Sequence, residues 1–268
     1  MCIRDSPERE VAKSLFRKLE APGALDNVPF VKDKVKLLEI LIEKKCPIAN
    51  IPLSDLTKKY PEFKAYIFGA ERKEKFVFFK KNDQMKVGDK VYLVVSTDQI
   101  KKLLSVFGHD EKLAKKILII GGGNISLHLA KLLESSDGLR TKIIEKNKSR
   151  AEQLASELSS SIIICGDPLD EKILKEANIE EVETVFALTD DDEDNIMSCV
   201  LAEKYTPSKR TIAIINKHNY NILQESLKID DLVDPRMATV STIMKHVHMG
   251  TIDTVYTLLD CLLYTSPS

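Results

Sequence analysis

The apolar run Ile117 to Ile120 ends on three consecutive glycines, Gly121, Gly122 and Gly123, and an apolar helical stretch begins at Leu127. A strand, a glycine turn and a helix in that order bring a backbone close to a phosphate. Gly121 permits the tight turn, Gly123 lets the chain approach a pyrophosphate, and the amides of Asn124 and Ile125 open a helix whose partial positive charge favours an anion. Ser126 stands where the third glycine of the G-x-G-x-x-G pattern belongs, so a slight displacement of the helix is expected, with the site retained. Glu145 ends the next apolar run at the usual spacing of roughly twenty residues, where a carboxylate accepts both ribose hydroxyls and repels a 2′-phosphate. Lys146 and Arg150 follow, placed to soften that repulsion or stack on adenine, so NAD over NADP is a preference only.

Around this turn, short β-branched runs alternate with helical stretches, the pattern of a Rossmann-like, doubly wound parallel sheet of the α/β class. Six strands are expected at 116–120, 141–145, 161–165, 184–188, 210–215 and, more weakly, 231–233. Asn147 is a candidate helix cap, as is Asp167 ahead of Pro168. Gly166 and Asp167 lie beyond the third strand, where open sheets hold ligands, so Asp167 has a second reading as an adenine contact. Beyond the fourth strand comes Thr189, Asp190, Asp191, Asp192, Glu193, Asp194, Asn195. Acids there suit a helix dipole, but their number exceeds a cap's need, and a cation or part of a charged ligand is an alternative use. Thr189, with Asp190, is expected to offer its hydroxyl to the cofactor.

Residues 28–109 read instead as a small α+β module without a chemical motif. Strands are expected at 35–42, 63–68, 75–80 and 91–95, and helices at 52–59 and 98–107.

Charge and composition exclude several functions. Lys plus Arg number 40 against 41 for Asp plus Glu, which leaves no excess to neutralise a nucleic-acid backbone. No apolar run approaches the ~18 residues of a membrane span, and a soluble chain is expected. Five scattered cysteines show no metal-ligand spacing. His246 and His248 are two apart and fall on different sides of a helix, so no metal site is expected. No serine-hydrolase turn is present.

Two stretches repeat. Pro7, Ala12, Leu15, Gly23, Asp26 and Val28 align with Pro235, Val240, Ile243, Gly250, Asp253 and Val255 with one deletion, as in a tandem protein. The ends, MCIRDS and CLLYTSPS, resemble translated adapter sequence and are set apart from the fold; the chain is expected to be a fragment.

The segments IIGGGN, IIEKN, GDPLD and ALTDDDEDNI, and then Asp234, Pro235 and Arg236, resemble in order those of an RCK N-terminal (TrkA-N) domain, the regulator of potassium conductance. Residues 28–109 are similar to an RCK C-terminal (TrkA-C) module. The resemblance implies these boundaries: 1–6 a non-native tail, 7–27 the end of a preceding N-terminal domain, 28–109 the C-terminal module, 110–250 the NAD-binding domain, and 251–268 a truncated second module plus tail. It further implies a non-enzymatic, cytosolic regulatory subunit at the inner face of the plasma membrane. Such a subunit binds NAD or NADH, and ATP or ADP at the same site, and forms a homo-oligomeric ring under a Trk-type potassium transporter. By position, the phosphates fall to Gly121, Gly123 and Asn124, the ribose to Glu145, adenine to Asp167, and the far half of the ligand to Thr189 and Asp190. The alternative is an NAD-dependent oxidoreductase.

Overall fold

The computed structural model describes residues 6–30, 34–61, 64–73, 75–109, 114–205, 210–236, 254–258 and 261–265. The chain divides into two compact units, Met1–Phe16 with Ala114–Ser268, and Arg17–Leu113. Helix α1 (Pro7–Glu20) opens the described chain.

The smaller unit is an antiparallel sheet of β1 (Asp26–Phe30), β2 (Val35–Leu41), β3 (Ala65–Arg72), β4 (Lys75–Phe78) and β5 (Lys90–Ser96), ordered β1-β2-β5-β3-β4. Alternate residues Leu38, Ile40, Val91, Leu93 and Val95 face one way and pack with Leu56 of α2 (Leu53–Lys59) and Leu103 and Leu104 of α3 (Ile100–Val106). Period-two alternation on β2 and β5 creates that face. Strand β1 crosses the boundary expected at residue 28. Its composition hides it, because Asn27 and Pro29 are poor strand formers, yet proline is tolerated in a strand that pairs on one side only.

The larger unit contains β6 (Lys116–Ile120), β7 (Arg140–Glu145), β8 (Ile162–Cys165), β9 (Thr184–Ala187), β10 (Arg210–Ile214) and β11 (Asp231–Val233). All neighbours are parallel, in the order β11-β10-β9-β6-β7-β8. Counted from the β8 edge, the strands come third, second, first, fourth, fifth, sixth, the doubly wound dinucleotide order. The connecting helices are α4 (Asn124–Glu134), α5 (Lys148–Glu157), α6 (Glu171–Glu176) and α7 (Asp192–Tyr205), with α8 (Gln224–Leu227) before β11. Central strands β6 and β9 are apolar after their first residues, Lys116 and Thr184, because they are covered on both faces; Leu118, Ile120 and Val185 pack with Leu174 and Ala202. Strands β6 and β9 are neighbours from which the chain winds in opposite directions, so the crevice beyond their carboxyl ends is the topological switch point.

Strands β12 (Thr254–Leu258) and β13 (Cys261–Thr265) pair antiparallel. The repeat aligns Val255 of β12 with Val28 of β1, and β1 pairs antiparallel with the strand that follows it in the same way. The Leu-Leu-Tyr-Thr run of β13 suits a pleated surface. Val240, Ile243, His246, His248, Gly250 and Asp253 lie outside the described residues, as do Met1 to Asp5.

One carboxylate ties α4 to the start of β8. Glu134 accepts the backbone N–H groups of Ser159, Ser160 and Ser161 at 3.1, 2.8 and 2.8 Å, and the Ser161 hydroxyl at 2.8 Å. Burial opposes its ionisation, but the serine hydrogen bonds outweigh burial and hold its pKa down at about 2. A pKa lowered on folding adds stability above the ordinary value of 4.5 that is lost as pH falls toward 2. Glu134→Gln is expected to cost about 2 kcal/mol at neutral pH. In urea unfolding, the gap to the wild type should close between pH 4.5 and pH 2.

Candidate nucleotide-binding site

Strand β6 delivers the chain to the glycine turn. Gly121 has φ +93°, and a Cβ there would lie 2.9 Å from both Cγ2 and N of Thr189, so both conformation and space demand glycine. Its N–H donates to Ile144 O at 2.8 Å. Gly122 donates to Glu145 Oε2 at 2.6 Å, and a Cβ there would stand 2.5 Å from that same oxygen. Gly123 differs. It is exposed, and the nearest atom to its would-be Cβ is Leu188 O at 4.0 Å.

Gly123 is also the N-cap of α4 and supplies no side-chain acceptor. The next three sheet helices are capped from within: Asn147 accepts from Arg150 N, Asp170 from Lys172 N, and Asp191 from Asp194 N. The first amides of a helix have no intrahelical partner. At α4, beside the exposed Asn124 and half-buried Ile125, no side chain of the N-cap residue caps them, an arrangement suited to an anion.

Glu145, half-buried at the end of β7, accepts Gly122 N–H on Oε2 and Asn147 N–H on Oε1, each at 2.6 Å. A carboxylate oxygen accepts more than one bond, so each keeps a lone pair for a further donor. Arg150 is hydrogen-bonded within the protein: its Nε donates to Gly122 O at 2.6 Å, Nη1 to Gln153 Oε1 at 2.8 Å and Nη2 to Asn124 Oδ1 at 3.3 Å. Lys146 pairs with Asp167 at 2.8 Å. The Lys146 hydrogen bond, followed by the Leu169 N–H, lowers the Asp167 pKa. Asp167 does not cap α6; it closes a turn onto Leu169 N, and Asp170 caps the helix. The proline after Asp167 sits in that turn. Gly166 donates its N–H to Glu145 O at 3.0 Å, holding the end of β8 beside β7.

Thr189 follows β9 and lines the Gly121 turn, but its hydroxyl is used inside the protein. It lies 2.8 Å from Asn195 Oδ1 and 3.0 Å from Asp191 O, and it accepts from Asp191 N. Asn195, fully buried, had no functional assignment from the sequence. Its Oδ1 accepts Thr189 N–H, and its Nδ2 donates to Thr189 O and Ile214 O. The acidic run is largely spent the same way. Buried Asp192 accepts from Asn216 N and Nδ2 and from Lys217 N. Glu193 is held at a pKa of about 2 by Lys217 and Tyr220. Asp190 stays exposed at the lip. Among the described residues no cluster of three His, Cys, Asp or Glu side chains is disposed to hold a metal ion.

Ser126 is fully buried, and its hydroxyl finds no partner among the described atoms. Removing an orphaned buried hydroxyl relieves its desolvation penalty. Ser126→Ala is expected to raise stability by about 1 kcal/mol, read as a higher urea midpoint.

Residues 117–235 match the TrkA-N domain family and residues 37–108 the TrkA-C domain family. The chain carries a TrkA-C domain followed by a TrkA-N domain. The order of the two domains, C-terminal module first, is the one expected from the sequence. The Trk system potassium uptake protein TrkA of Azorhizobium caulinodans is 41% identical over 256 residues, covering 95% of this chain and 56% of that protein. Its namesake in Vibrio alginolyticus is 33% identical over 253 residues, covering 94% and 55%. The chain thus spans about half the length of the curated relatives it matches. Among solved structures, the GsuK channel bound to NAD superposes with a TM-score of 0.59 over 88% of this chain and 42% of that one, at 16% identity, a likeness of fold.

Proposed function

We propose that this chain is the adenine-nucleotide-sensing part of a regulatory subunit of a Trk-type potassium uptake system, and that NAD or NADH, with ATP or ADP as competitors, occupies the crevice between the Gly121 turn and Leu188. The observation that carries this reading is the uncapped start of α4 beside Glu145 at the switch point: one element receives phosphate and the other ribose. The names of the TrkA relatives and the NAD-bound state of GsuK support it. Lys146 and Arg150 are both engaged within the protein, so a 2′-phosphate would meet Glu145 and NAD is favoured over NADP.

In this reading the nucleotide is a signal and is not consumed. It acts by binding one conformation of a homo-oligomeric ring better than another, because a ligand of equal affinity for both shifts nothing. The subunit works at the cytoplasmic face of its transporter. No helix among the described residues is long and apolar enough to cross a membrane. The test is isothermal titration of the full-length protein. NADH and ATP are expected to bind competitively, and Glu145→Ala to weaken both at least ~10-fold through the lost ribose contacts. An absence of adenine-nucleotide binding by the wild type would sink the proposal. Turnover of NADH with a hydroxy acid would revive the oxidoreductase alternative.

A further inference from the structure

The glycine turn is closed into a ring of hydrogen bonds that runs through α5. Gly122 N–H donates to Glu145 Oε2 at 2.6 Å, and Asn147 N–H donates to Oε1 of the same carboxylate at 2.6 Å. Asn147 Oδ1 then accepts Arg150 N–H at 3.1 Å, and Arg150 Nε returns to Gly122 O at 2.6 Å. A single residue, Gly122, is therefore gripped on both sides, its N–H by a carboxylate and its C=O by a guanidinium. The same guanidinium reaches Asn124 Oδ1 at 3.3 Å, on the first residue of α4. Leu154 of α5 closes the remaining side, since a Cβ on Gly122 would lie 2.6 Å from its Cδ1.

Three consequences follow from this arrangement. A glycine-rich segment is the part of a chain with the most conformational freedom to lose, and here that freedom is removed before any ligand arrives. The restraint is charge-assisted on both peptides that flank Gly122, the stronger class of hydrogen bond. It also spans the ligand: Glu145 sits on the ribose side, and Asn124 on the phosphate side.

We propose that Arg150 is a positioning residue for nucleotide binding. It acts through Gly122 and Asn124 to hold the phosphate-receiving amides in place, and it touches neither adenine nor ribose. This rests on the nucleotide reading above. The proposal fixes which ligands Arg150 affects. Those carrying phosphate at the turn depend on it, and a nucleoside without phosphate does not.

The experiment is isothermal titration of full-length wild type, Arg150→Gln, Arg150→Lys and Asn124→Ala against ADP, NADH and adenosine. Arg150→Gln is expected to weaken ADP and NADH about tenfold, the scale of one charge-assisted hydrogen bond, and to leave adenosine within about twofold. Arg150→Lys should recover part of the loss, because an ammonium reaches Gly122 O but cannot fork to Asn124 as well. Asn124→Ala, at an exposed position, should cost ADP about threefold and spare adenosine, and it decides the matter should Arg150→Gln not fold. Equal loss for adenosine and ADP would overturn the proposal, as would unchanged ADP affinity in Arg150→Gln. A wild type that binds none of the three ligands would overturn the nucleotide reading and this proposal with it. Intact wild-type binding beside an insensitive Arg150→Gln would overturn the positioning role alone.

Discussion

A Gly123→Ala variant is expected to keep its fold and lose its nucleotide, whereas Gly121→Ala is expected to lose much of both. The two glycines are two residues apart, but different things surround them. At Gly121 a side chain meets two obstacles at once: φ +93°, which L residues seldom adopt, and the backbone N of Thr189 2.9 Å from the new Cβ. Backbone cannot rotate aside as the end of a side chain can, so strain and overpacking add to about 3 kcal/mol. At Gly123 the new Cβ meets no protein atom closer than 4.0 Å, and stability should change by no more than about 1 kcal/mol, the scale of an N-cap exchange. That same methyl group occupies the approach of a pyrophosphate to the α4 amides, so affinity for ADP or NADH should fall at least ~10-fold while adenosine is less affected. Urea unfolding and titration on the two variants separate the effects. Equal stabilities, or an undisturbed ADP affinity in Gly123→Ala, would contradict the division of labour within the turn.

The contrast between these glycines also marks how far the sequence could be read. Strand, glycine triplet, helix and terminal acid were visible because each depends on neighbours within a few residues, and the β6-to-β11 alternation was placed to within a residue or two for the same reason. What the sequence did not disclose depends on partners far along the chain. The run from Asp190 to Asp194 looks alike residue by residue, yet Asp192 is buried against Asn216 and Lys217 while Asp190 lies at the surface. Spacing alone cannot say which acid finds a donor 24 residues away. The bonds of Arg150 to Gly122 and Asn124, 28 and 26 residues away, were likewise invisible to spacing. Asp167 lost the cap to Asp170 because the proline that suits a first helical position suits a turn equally well. Strand β1 was passed over because its pairing partner, β2, supplies the reason that Asn27 and Pro29 form a strand at all.

Asn195 is the clearest case of a residue whose importance comes entirely from three dimensions, and Asn195→Ala is expected to be among the most damaging single changes in the sheet unit. The side chain is fully buried and joins the loop after β9 to the end of β10, using its oxygen on Thr189 N–H and its nitrogen on Thr189 O and Ile214 O. Truncation takes the partner from the N–H and C=O of half-buried Thr189 and from the buried Ile214 carbonyl, and a buried orphan costs about 1 to 3 kcal/mol. A cavity remains as well, so a loss of about 4 kcal/mol is expected. Thr189 is the wall against which Gly121 packs, so the loss should reach the nucleotide as well, weakening ADP in whatever fraction of the variant remains folded. Asn195→Asp provides the control. It preserves shape and the oxygen that receives Thr189 N–H, but it replaces the donor to two carbonyls with a second acceptor. Protonation of that carboxyl restores a donor, so Asn195→Asp should be about as unstable as Asn195→Ala at neutral pH and should recover relative to the wild type as the medium is acidified. A variant whose stability deficit does not change with pH would mean that the Nδ2 bonds to Thr189 and Ile214 are not what holds the β9 loop to β10.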